Sequence, residues 1–146
     1  MNMRFAVLIV AGLLAIPVAN AQDASEPYEP NIGDIMAQQQ VRHLKLWFAG
    51  RAGNWPLADY EIGKLKDGFE DVNKQIGGDT VDKAVGGPIA ALEKAIESKD
   101  RDSFTRAFDQ LTAGCNSCHH TLDHAFLVIQ RPSLPPYSNQ SFAPQK

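Results

Sequence analysis

Phe104-Thr105-Arg106-Ala107-Phe108-Asp109-Gln110-Leu111-Thr112-Ala113-Gly114-Cys115-Asn116-Ser117-Cys118-His119 is the stretch that decides the fold. Its apolar residues recur at intervals of three and four, through Phe104, Phe108, Leu111 and Cys115, which is the stripe of a helix with one buried face. Leu122 and Phe126 continue the line, so we expect a helix from about Asp102 to Phe126. The stripe carries Cys115-x-x-Cys118-His119, the C-x-x-C-H pattern that attaches c-type haem. Two thiols add across the porphyrin vinyl groups, and the histidine that follows is held beneath the iron as its proximal ligand. At 100° per residue from Phe104, Cys115, Cys118 and His119 fall near about 20°, 320° and 60°, on the core side. His120 and His124 fall near about 160° and 200°, toward solvent.

That register weighs against a zinc site, which needs four ligands converging on one point. A Cys115–Cys118 redox pair is the other alternative, but such pairs sit at a strand–helix junction, and no strand pattern precedes the motif. Cys115 and Cys118 are the only cysteines in the chain, so no disulfide framework competes for them.

The N-terminus bears on the compartment. Arg4 precedes the apolar run Phe5 to Val18, and Ala19-Asn20-Ala21 offers a small-x-small cleavage pattern before Gln22. This is the layout of a secretory signal peptide over residues 1–21. Fourteen apolar residues fall short of the roughly 20 that a spanning helix needs, so we expect membrane contact only before cleavage. Haem of this type is attached outside the cytoplasm, and the periplasm is the expected location. Cleavage removes one basic residue and no acidic one, taking the formal charge from −3 to −4 over the remaining 125 residues. One domain is expected at that length, and without a basic patch we expect no nucleic-acid partner.

Three further helical patterns precede the motif. After a flexible segment over residues 22–31, the first helix is expected from Ile32 to Gly50, capped by Asn31, with Ile32, Met36, Ala37, Val41, Leu44, Trp47 and Phe48 as its apolar sector and Gln38, Arg42 and Lys45 opposite. The second starts at Asn54 or Trp55, carries Pro56 in its first turn and stops at Gly77-Gly78. The third is expected to be shorter, with Pro88 at its start and Gly86-Gly87 breaking the first turn away. The fold class is therefore all-α: an antiparallel four-helix bundle over residues 32–126, with C-x-x-C-H on the last helix and an extended, Pro-rich C-terminal tail over residues 127–146. A loose end is the preferred reading of that tail, and packing of Tyr137 and Phe142 over the bundle is the alternative.

A bundle with this motif on its last helix resembles the class II c-type cytochromes, the cytochrome c-prime and cytochrome c-556 group. The likeness covers about residues 32–126 and is strongest from Leu92 to His119. It implies one covalent haem c, with Cys115 and Cys118 as thioether positions and His119 as the axial iron ligand. Two departures stand out: His120-Thr121-Leu122-Asp123 replaces the aromatic and basic residues often found after the histidine, and the chain continues well beyond the motif.

In the resembling family a first-helix residue faces the other side of the iron, as methionine in low-spin members and as an apolar blocker in five-coordinate ones. Met36 and His43 lie on one stripe here, about two turns or roughly 10 Å apart, so at most one can reach the metal. His43 is the preferred sixth ligand, because an imidazole on an apolar stripe must find a polar partner. Met36 is the alternative ligand, and a vacant position is the third option. Arg42, Lys45 and Arg51 are conceivable propionate partners, though solvated surface charge is the simpler reading. The expected function is electron carriage between transient redox partner proteins, without enzymatic turnover. The alternative is a five-coordinate binder of nitric oxide or carbon monoxide. A peroxidase would need distal acid–base groups, for which only His43 is visible. A homodimer through the bundle faces remains open.

Overall fold

A computed structural model describes residues 28–135, 137 and 139–145 of the chain. The expected signal peptide and residues 22–27 lie outside the described residues. Four helices follow in sequence: α1 Ile32–Ala52, α2 Trp55–Ile76, α3 Thr80–Glu97 and α4 Arg101–Thr121. Links of two or three residues turn each helix back on the one before, giving the antiparallel four-helix bundle. No strand occurs among the described residues. The broadest helix contacts are α1 with α2 and α3 with α4; α2 also packs on α3, and α1 meets α4 more thinly.

The helix ends follow from local chemistry. Asn31 caps α1 by accepting from the Asp34 N–H at 3.1 Å, and Asn54 caps α2 by accepting from Leu57 at 3.3 Å. Asp100 accepts from the N–H groups of Asp102 and Ser103 at the start of α4. Gly53, at φ 75°, closes α1 in the left-handed conformation, two residues later than the sequence predicts. Tyr28 and Pro30, at the end of the segment expected to be flexible, are tied to the bundle through Asp34 and Gln75.

Three expectations about the helices are corrected. α3 runs unbroken through Gly86, Gly87 and Pro88 and starts at Thr80. Pro88 cannot donate to the carbonyl of Ala84, the residue four positions back. Gly114 of α4 packs onto that carbonyl: a Cβ at position 114 would stand 2.4 Å from the Ala84 oxygen. The glycine thus lets two helices close at the bond that the proline leaves unmade. α4, in turn, ends at Thr121, because Asp123 takes a left-handed φ of 61° and the Leu122 and His124 N–H groups turn back onto Cys118 and His119. Phe126 is consequently 76% exposed and has no place on the buried line. The buried face of α1 is also rotated from the expected sector. Ile35, Gln39, His43, Leu46, Ala49 and Gly50 face inward, whereas Ile32 and Ala37 are exposed and Val41 and Leu44 half-buried.

The core divides between the two ends of the bundle. At the end where α1 finishes and α4 begins, Trp47, Trp55, Phe104 and Phe108 pack ring against ring. Phe104 fits there because position 50 is glycine: a Cβ would stand 2.2 Å from its ring. Glu61 is buried on α2 and pairs with Arg42 of α1 at 3.1 Å. The tail beyond α4 is extended and packs back over the bundle, contrary to the preferred reading of a loose end. Arg131 makes a two-pronged ion pair with Asp109 and lies 4.9 Å over the Trp47 ring. Phe142 packs on Phe48, and Asn54 donates to the Ala143 carbonyl at 3.1 Å.

Candidate functional site

A cavity of about 640 Å³ opens at the other end, between the start of α1, the end of α2, the start of α3 and the end of α4. That volume falls within the roughly 300–1,000 Å³ of small-molecule and cofactor sites. Leu65, Phe69, Val72 and Val85 make its floor apolar, and Leu127 and Ile129 from the tail add to its wall. All five residues singled out from the sequence line it: Met36 and His43 from α1, and Cys115, Cys118 and His119 from α4.

The two thiols are held protonated. Burial, reinforced by the neighbouring Cys118 sulfur, pushes the Cys115 thiol up to about 12, and burial raises Cys118 in the same direction. A reactive redox pair needs the opposite, a thiolate stabilised near neutrality. Among the described residues, no three His, Cys, Asp or Glu side chains group closely enough to hold a bare metal ion.

His119 Nδ1 lies 2.8 Å from the Leu127 carbonyl oxygen. A carbonyl only accepts, so Nδ1 must carry a proton, which in the neutral ring leaves the lone pair on Nε2. This is the hydrogen-bonding pattern of a metal-ligating histidine, whose second nitrogen is fixed by a backbone carbonyl. His120 is exposed, as expected. His124 is exposed as well, as expected; it lies beyond the end of α4, borders the cavity and has Nδ1 on the Leu122 carbonyl.

On the opposite wall His43 finds the polar partner that its position demands. Thr112 donates to the Phe108 carbonyl at 2.9 Å, so its oxygen is free to accept from His43 Nε2 at 2.8 Å. The ring lies 4.3 Å from that of Phe108, and burial lowers its pKa to about 4, so it is neutral at pH 7. Met36 is half-buried against the core and forms the same wall. None of the three cations considered for propionates lines the cavity. Arg42 is engaged by Glu61, Lys45 lies over Tyr137, and Arg51 lies over Trp47.

Gln39 is one residue that the sequence reading missed. It is 6% exposed, lines the cavity between Met36 and His43, and its Oε1 has no hydrogen-bond partner. Gly68 of α2 makes room for it: a Cβ there would stand 1.5 Å from Gln39 Nε2. A glycine on α2 opposite a polar residue on α1 is a signal only once the pairing of the two helices is known. Compared with known proteins, the chain matches no family model, no curated protein and no solved structure.

Proposed function

We propose that this chain is an exported single-haem c-type cytochrome that carries electrons one at a time between transient protein partners. One observation carries the reading: Cys115, Cys118 and His119 line one largely apolar cavity, with His119 Nδ1 bonded to the Leu127 carbonyl and Nε2 left to bind iron. The donor set fits the group. Two free thiols at this spacing can each add across one vinyl group, and the apolar walls suit a porphyrin. Haem c, when bound, supplies an iron that changes oxidation state by one electron without bond rearrangement in the protein.

The chain's own residues would tune that centre. Cys115 and Cys118 would hold the group covalently, so that it is retained in both oxidation states. His119 would supply Nε2 to the iron, its donor strength raised by the Nδ1 bond to the Leu127 carbonyl. Leu65, Phe69 and Val72 exclude water, which favours the less charged oxidation state. Because His43 Nε2 is engaged by Thr112, Met36 becomes the better candidate for the sixth position. A thioether there would favour ferrous iron. Gas binding at an open sixth position is the second reading, and the Thr112 bond favours it in one respect, since it engages one of the two ring nitrogens of His43.

The visible spectrum of the ferrous exported protein tests both readings. Sharp low-spin bands unmoved by carbon monoxide, and lost in Met36→Ala but retained in His43→Ala, are the expected result. A high-spin spectrum that shifts with carbon monoxide establishes the second reading instead. Absence of haem absorbance in the exported protein overturns both.

A further inference from the structure

We propose that Asn116, one of the two residues between the motif cysteines, is a positioning residue that clamps the tail onto α4 and thereby sets which nitrogen of His119 faces the cavity. What His119 then binds rests on the haem reading above; the clamp itself does not. The Asn116 amide donates to the Ile129 carbonyl at 2.9 Å and accepts from the Ile129 N–H at 2.8 Å. One side chain therefore makes both bonds that a neighbouring strand would make to that residue. Asparagine supplies donor and acceptor two bonds apart; aspartate lacks the donor and leucine lacks both.

Register transmits the clamp. His119 lies three residues beyond Asn116, on an adjoining part of the helix surface. Leu127 lies two residues before Ile129 on an extended segment, where side chains and carbonyls repeat with period two. Fixing Ile129 opposite Asn116 therefore brings the Leu127 carbonyl opposite His119, where Nδ1 donates to it at 2.8 Å. The segment is held at its far end by Arg131 on Asp109. From Asp109 to His119 the helix rises about 15 Å, and from Leu127 to Arg131 an extended chain covers about 13 Å. The two runs are thus matched in length and opposite in direction.

The test uses the mature full-length protein in two forms, haem-loaded after export and haem-free after production without export. In the haem-free form, long-range ¹⁵N–¹H spectra of the imidazoles report the tautomer of His119. A hydrogen bond of ordinary net strength biases that equilibrium by roughly fivefold, and we expect Asn116→Leu to abolish the bias. In the loaded form the same variant weakens His119 as a donor. We expect the reduction potential to shift positive and the ferrous iron–histidine stretching frequency to fall. Asn116→Asp, which keeps one of the two bonds, and Arg131→Ala, which frees the far end, are expected to give intermediate shifts and serve if Asn116→Leu does not fold. An unchanged tautomer and an unchanged potential in a folded variant overturn the proposal. If the exported protein carries no haem, the haem reading fails, while the tautomer measurement still decides the clamp.

Discussion

His43 shows how one buried side chain couples folding to acidity. Unfolded, its imidazole titrates near the ordinary value of about 6.5; folded, burial lowers that to about 4. Between these values the unfolded chain binds the extra proton, so stability rises with pH through this window. The contribution is fully present above about pH 6.5 and is lost as the pH falls toward 4, by at most about 3 kcal/mol. Denaturant titrations of the haem-free chain at pH 4.5 and 7 should therefore differ, and His43→Gln should flatten the difference. An equal pH dependence in that variant would assign the effect to other groups. The motif residues were legible because C-x-x-C-H states its chemistry through residue type and spacing alone. Gln39 and Asn116 were not, because their roles depend on Gly68 and Ile129, which lie on other segments.

At the scale of the element, the contact between α3 and α4 rests on a missing hydrogen bond and a missing side chain. Pro88 leaves the Ala84 carbonyl free, and Gly114 seats against it one residue before the motif. Gly114→Ala places a methyl group where backbone already stands, and overpacking of this kind costs about 1–3 kcal/mol. We expect the thermal midpoint to fall accordingly, with the helix content unchanged. A neutral effect, or the gain in helix propensity expected of alanine in an open helix, would show that the contact is loose. Proline's usual place at a helix start is what made α3 read as short from its sequence. Burial of Val81, Val85, Ile89 and Leu92 along one face outweighs that preference and carries the helix through. The register of α1 was misread for a related reason. Its apolar residues are spread around the helix, because it meets α2, α4 and the tail on different sides, and its cavity face carries the polar Gln39 and His43.

For the whole molecule, the bundle was legible from four amphipathic stretches with glycine or charged links, while the path of the tail was not. Beyond the Asn116 clamp, its hold on the bundle includes Arg131 on Asp109 and over Trp47, Tyr137 under Lys45, Phe142 on Phe48 and the Ala143 carbonyl on Asn54, contacts spread over separate segments. Truncation after Gln130 removes all of these and keeps both Asn116–Ile129 hydrogen bonds. We expect a fall of about 2–4 kcal/mol in stability from the loss of an exposed ion pair, two cation–π contacts, one aromatic contact and one hydrogen bond. Limited proteolysis should then cut within residues 122–130 faster than in the intact chain; equal resistance in the truncated form would show that the tail adds no hold. The aromatic end has an optical consequence. Both tryptophans of the chain pack around Phe104, away from the cavity, and Trp47 alone lies beneath Arg131. Ultraviolet emission therefore reports the seating of the tail without touching the site, and any cavity-bound group absorbing in that band quenches both indoles from the opposite end of the bundle.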